Sequence, residues 1–136
     1  MGLFSRTRLG LTKLKPTFDK KQTGHHYETL AMQHLQRQGL HLISRNFTAK
    51  CGEIDLIMRD SKTIVFIEVK YRKRTNYGHA AEAVTPKKAQ RVFKTAQLWL
   101  AKNQLPLHST EIRFDVIALH QQGSQVDWFK NALTEI

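Results

Sequence analysis

Between residues 27 and 35 apolar side chains recur every three or four positions, as Tyr27, Leu30, Ala31, Met32 and Leu35, and Gly39 closes the run. Thr23 is an N-cap type placed ahead of it, so the pattern predicts an amphipathic helix that ends at a glycine. The spacing then loosens to alternation over residues 40–47 (LHLISRNF), with Leu40, Leu42 and Ser44 on one side as in a strand, and residues 48–52 read as a turn. Glu53 to Arg59 and Thr63 to Tyr71 are both dense in Ile, Val, Leu and Phe, and the polar link Asp60-Ser61-Lys62 makes them a β-hairpin. A basic stretch, RKRTNYGHA, follows. Thr85-Pro86 then joins an N-cap type to the residue best suited to a first helical position, and Ala89, Val92, Phe93, Ala96, Trp99 and Leu100 keep helical spacing to about Asn103. Glu111 to Leu119 alternates, with Ile112, Phe114, Val116 and Ala118 on one face; Gly123 marks a turn and Val126 to Phe129 a last short strand.

The resulting order, α-β-β-β-α-β-β, implies an antiparallel three-strand meander and a helical crossover to a strand parallel to the third. The expected class is α/β, a mixed β-sheet flanked by helices. The 136 residues suit one domain. Residues 1–21 mix basic side chains with scattered Leu and Phe, and Pro16 interrupts any helix there, so they read as a flexible basic arm ahead of a domain over residues 22–136.

Charge changes the picture. Lys and Arg number 22 against 11 Asp and Glu, a formal charge of +11 that predicts a polyanionic partner. Nucleic acid fits best, because each phosphate neutralised by Lys or Arg releases condensed counterions. An anionic membrane surface reached through the basic arm is the rival. The single cysteine, Cys51, excludes an internal disulfide and a thiolate metal cage, which suits a reducing compartment. With no apolar run of about 18 residues and no signal-peptide stretch at the start, no membrane span is expected and the location reads as cytoplasmic.

The hairpin carries the candidate chemistry. A two-residue loop of Ser61-Lys62 pairs Asp60 with Thr63, a four-residue loop pairs Arg59 with Ile64, and both put Asp55 opposite Glu68. Ile54, Leu56, Met58, Val65, Ile67 and Val69 then form one apolar face. The other face presents Asp55 and Glu68, with Cβ atoms about 5 Å apart, and Lys70 beside them, walled by Ile57 and Phe66. Facing carboxylates call for a cation between them, and oxygen ligands of this kind suit Mg²⁺ or Mn²⁺, whose retained waters can become a nucleophile. An ordinary ion pair of Lys70 with Asp55 or Glu68 on a solvated face is the plain alternative.

Three further features bear on the choice. Glu28 projects toward the buried stripe of the first helix, where a lone carboxylate needs a partner, and could be a third carboxylate; it also falls in the first helical turn, where the dipole alone favours an acid. Arg72, Lys73 and Arg74 leave the strand beside Lys70, and Tyr77 could stack on a base. The second helix opens with Lys87, Lys88, Gln90 and Arg91, so its N-terminus can attract an anion, though a basic helix start is also an ordinary solvated face. His79 next to Gly78 reads as a loop residue.

With Gly52-Glu53-Ile54-Asp55-Leu56-Ile57 followed by Phe66-Ile67-Glu68-Val69-Lys70-Tyr71-Arg72, the chain resembles the YraN family of small bacterial proteins. The likeness runs over about residues 24–133 and includes Arg45-Asn46, Gly78, Arg113-Phe114-Asp115 and Asn131-Ala132. It implies a restriction-endonuclease-like fold with motifs similar to archaeal Holliday-junction resolvases. Carried over by residue, it implies Asp55 and Glu68 as metal ligands, Lys70 as the catalytic lysine, Glu28 as the helix-one acid and Lys88 as a helical lysine. The family's first-helix Gly-x-x-Gly-Glu pattern stands here as Thr23-Gly24-His25-His26-Tyr27-Glu28, a departure that bears on Glu28. The expectation is therefore a Mg²⁺- or Mn²⁺-dependent endonuclease acting on DNA, with branched or damaged DNA as the substrate by analogy and Arg72, Lys73, Arg74, Tyr77, Lys88 and Arg91 contacting nucleic acid. The alternative is a nucleic-acid-binding module that keeps the scaffold without useful catalysis. Resolvase-like proteins are often dimers, which makes a homodimer the expected assembly by analogy; no interface signature is legible.

Overall fold

A computed structural model describes residues 19–72 and 85–133, with the backbone alone at Arg72. Helix α1 runs Lys20–Arg37, strands β1 His41–Ala49, β2 Gly52–Asp60 and β3 Thr63–Arg72, helix α2 Pro86–Lys102, and strands β4 Ile112–His120 and β5 Gln125–Phe129. The five strands lie in chain order in one sheet, antiparallel except for β3 against β4. The mixed α/β architecture and the order α-β-β-β-α-β-β agree with the hydrophobic pattern. Among the described residues no helix is long and apolar enough to cross a membrane.

Helix α1 starts earlier than Thr23 suggests. Its N-cap is Asp19, whose side chain accepts from the Gln22 backbone N–H while the Gln22 side chain returns a bond to the Asp19 backbone, a capping box that outcompetes the single hydroxyl of Thr23. The helix consequently begins before residue 22. The C-terminus follows expectation: Gly39 has φ +102, its N–H donates to Gln36, and Leu40 donates back to Leu35. These paired bonds satisfy carbonyls that the helix end would orphan, and Leu40 is buried in the same cluster as Leu35. Helix α2 opens as predicted, with Thr85 capping Lys88 and Pro86 in the first position, and ends at Asn103.

The hairpin pairs Asp60 with Thr63, Arg59 with Ile64 and so on to Leu56 with Ile67. Helix α1 covers Leu56, Met58, Val65 and Ile67, joined by Ile117 and Leu119 of β4. The opposite face is not an open one. Ile57, Phe66 and Val116 pack there beneath Val92, Ala96 and Trp99 of α2, with Phe66 edge-on to Trp99 at 5.8 Å between ring centroids. Because the crossover helix lands on that side, both faces of the hairpin are core, and Ile57 and Phe66 wall no solvated surface. Ile54 also departs from the predicted layer: it joins the α2-side cluster, because regular β2–β3 pairing stops at Leu56 and Ile67.

One polar anchor ties the C-terminal end to the sheet. Asp115 is fully buried and accepts from Arg113 Nε (2.9 Å) and NH2 (3.0 Å), Trp128 Nε1 (2.9 Å) and the Asn131 backbone N–H (2.8 Å). Arg113 continues the chain of contacts to Asp60 at the hairpin turn, 3.1 Å away. The Asp115 hydrogen bond, opposed by burial, and the charges of Asp115 and Asp60 hold the Arg113 guanidinium above even its usual high pKa. The Arg113-Phe114-Asp115 and Asn131 strings are thus a structural lock.

Candidate active site

Where β2 and β3 cease to pair, Asp55 takes over the connection: its Oδ2 accepts from the Val69 backbone N–H at 2.8 Å. The strands part there. The gap between them exposes Asp55 and Glu68 to two cavities at once. A cavity of about 400 Å³ on the α1 side is lined by Gly24, Glu28, Asp55, Glu68, Lys70 and Lys88 among others. A second, of about 260 Å³ on the α2 side, is lined by Gly52, Glu53, Asp55, Glu68, Lys88 and Arg91 with Val92. Gly52 makes the second approach close: it has φ +154, and a Cβ there would sit 3.1 Å from Thr95 Oγ1 and 3.5 Å from Arg91 Cβ.

Glu68 is the centre of charge. Its Oε2 lies 2.5 Å from Lys88 Nζ and 3.5 Å from Lys70 Nζ, so two ammonium groups share one carboxylate oxygen. The plain alternative, a lysine ion pair, is half right: Lys70 pairs with Glu68, but Glu68 is almost fully buried and shared with Lys88, which comes from the third position of α2.

Burial, reinforced by the Glu68 charge and more weakly by Glu28, pushes the Asp55 carboxyl up to about 8, against the pull of the Val69 N–H and of Lys88. Burial and the adjacent Lys88 ammonium hold Lys70 below the ordinary lysine range, with Glu68 acting the other way. Burial also works to lower Lys88, but its hydrogen bonds to Glu68 and Lys70 and the charges of Glu68 and Asp55 outweigh it and hold it above that range.

The Asp55 shift has a stability consequence. The folded-state value exceeds the ordinary 3.8 expected of the unfolded chain, so the folded state binds the extra proton. Its contribution is complete below about pH 4 and is lost as pH rises through about 8. In metal-free buffer, thermal midpoints of wild type and Asp55→Asn measured from pH 4 to pH 9 should therefore diverge, wild type falling relative to the variant up to about pH 8 and running parallel above it. Parallel curves throughout would contradict the shift.

Glu28 stands at the first cavity, but not as the sequence suggests. With the helix starting at Lys20 it lies in the third turn, and the first turn holds no acid, so the helix dipole does not account for it. Its Oε1 is buried without a hydrogen bond, 3.8 Å from Arg45 NH2 and 3.9 Å from His25 Nδ1. Among the described residues no three His, Cys, Asp or Glu groups converge as a ready metal cage. Asp55 and Glu68 are brought together, then, and Glu28 borders the same cavity with Arg45 beside it. Sequence reasoning missed the Arg45–Glu28 and Lys88–Glu68 contacts, each of which depends on how two successive elements pack against one another.

Of the residues expected to contact nucleic acid, Lys88 and exposed Arg91 line the α2-side cavity. Lys73, Arg74 and Tyr77, and the side chain of Arg72, lie outside the described residues, as does His79.

Residues 27–119 match the family described as Uncharacterised protein family UPF0102. A UPF0102 protein of Vibrio cholerae is 51% identical over 117 residues, spanning 86% of this chain and 96% of that protein. One of Vibrio campbellii is 50% identical over 118 residues, 87% and 97% of the two chains, and one of Photobacterium profundum is 50% identical over 117 residues, 86% and 94%. Among solved structures, Pyrococcus furiosus SfsA in complex with Ca²⁺ is matched over 82% of this chain and 64% of that one, at 18% identity and a TM-score of 0.35.

Proposed function

This chain belongs to the UPF0102 family, and we propose that it is a metal-dependent nuclease of restriction-endonuclease-like type, hydrolysing phosphodiester bonds in DNA at Asp55, Glu68 and Lys70. The observation that carries this reading is the parting of β2 and β3 at Asp55, which opens two carboxylates and a depressed lysine onto a polar cavity in an otherwise apolar hairpin. Few structural needs explain such a group.

The donor set fits a hard divalent cation. Two carboxylates meet, one of them burdened by the charge of the other, and the buried Glu28 Oε1 lacks a hydrogen bond at the rim of the same cavity. Asp55 and Glu68 would hold Mg²⁺ or Mn²⁺, with Glu28 bordering the site; such an ion, once bound, supplies water activation and neutralisation of phosphate charge. Lys70, fixed on β3 beside Glu68, orients the attacking water or neutralises the attacked phosphate. Arg91 and the opening of α2 hold the flanking phosphates. Branched or damaged DNA is the substrate class that the family likeness favours, and the +11 charge supports a nucleic acid over a neutral partner.

The test incubates pure protein with labelled linear, nicked and four-way DNA in Mg²⁺ or Mn²⁺. Cleavage of at least one substrate, lost in Asp55→Ala, is the expected outcome; cleavage of none, or equal cleavage by the variant, overturns the reading. One observation favours a second reading. Lys88 and Lys70 already neutralise Glu68 and no three-ligand cluster stands ready among the described residues, as suits a nucleic-acid-binding module without useful catalysis. That module would bind DNA in a salt-sensitive way without divalent ions and give no Mn²⁺ binding by calorimetry.

A further inference from the structure

Lys88 and Lys70 both reach Glu68 Oε2, yet they are held differently. Lys70 belongs to β3, where its backbone is in register with Ala118 of β4, and its side chain is only 15% exposed. Lys88 extends from the first turn of α2, its side chain is 41% exposed, and it borders both cavities. It also makes the shorter contact, 2.5 Å against 3.5 Å.

We propose that Lys88 is a resident counter-ion of Glu68, occupying the carboxylate in the absence of metal and displaced from it when a divalent cation binds. The inference rests on the metal site proposed above. The Glu68 side chain is 6% exposed and lies beside Asp55, so its charge needs a partner, and the ammonium of Lys88 balances it in the absence of metal. A divalent ion supplies the same charge twice over and needs carboxylate oxygens at about 2.0–2.1 Å for Mg²⁺, which a hydrogen-bonded ammonium on the same oxygen obstructs. Of the two lysines, the exposed one on the helix has room to leave, and it can swing within the α2-side cavity that Arg91 also lines. Lys70, on the paired strand, stays.

Titration calorimetry of Mn²⁺ into wild type, Lys88→Met, Lys87→Met and Glu68→Gln tests this. Lys88→Met should bind Mn²⁺ about tenfold more tightly than wild type, the equivalent of no longer breaking one charge-assisted hydrogen bond. Lys87→Met should match wild type, and Glu68→Gln should bind poorly. Equal or weaker binding by Lys88→Met, with wild-type binding intact, overturns the counter-ion and leaves the metal site standing; no binding by any of the four removes both. A second measurement needs no variant: amine-acylating reagent applied to wild type and read by mass spectrometry should label Lys88 several-fold faster once Mn²⁺ is added, with Lys87 as internal reference. An unchanged ratio in protein that binds Mn²⁺ overturns the proposal.

Discussion

Asp115→Ala is expected to destabilise the fold by about 3–5 kcal/mol, the range for removing one member of a buried, hydrogen-bonded ion pair. The carboxylate takes four hydrogen bonds from three different residues and is fully buried, so truncation leaves the Trp128 indole N–H and the Asn131 backbone N–H without acceptors. Arg113 keeps only Asp60, in a setting that burial already penalises. A loss of that size corresponds to a thermal midpoint lower by about 10–20 °C for a domain of this length. Asp115→Asn, which keeps the volume and one acceptor oxygen, should lose less. Chemical denaturation of the three proteins measures both; a loss under about 1 kcal/mol for the alanine variant would show that the lock carries little of the stability.

Glu68→Gln should nearly abolish activity while leaving the chain folded. The change is isosteric, so the packing between β2 and β3 survives, but the carboxylate charge that balances Lys70 and Lys88 is gone. On the reading proposed here it also removes one of two metal-holding groups. Cleavage should fall by about 10³-fold, the scale set by removing one preorganised electrostatic group from a reaction centre. Initial rates on whichever DNA the wild type cleaves, with circular dichroism to confirm folding, decide it; activity within tenfold of wild type would place the chemistry elsewhere.

Much of this was legible from residue order. The two-residue Ser61-Lys62 link set the hairpin register from Asp60-Thr63 to Leu56-Ile67, though the ladder stops short of the expected Asp55-Glu68 pair and Asp55 bonds the Val69 backbone instead. Thr85-Pro86 and Gly39 marked helix ends because local backbone chemistry decides those positions. The Asp19-Gln22 box was equally local and could have been read from its Asp-x-x-Gln spacing. What alternation could not reveal was that the second hairpin face is also core, since a strand buried on both sides differs from a half-buried one only through the helix that lands on it. Nor could it place Lys88 on Glu68, because that contact depends on how α2 crosses the sheet. Arg113-Phe114-Asp115 stood out as a string, but only the partners from Trp128 and Asn131 explain it.

Tyr27 and Tyr71 stack face to face, 4.4 Å between ring centroids and 8° from parallel. Each is the immediate chain neighbour of a residue at the α1-side cavity, Glu28 in one case and Lys70 in the other. The stack therefore works as a calliper: the thickness of two aromatic rings, not the length of a flexible side chain, sets how far the helix stands from the strand.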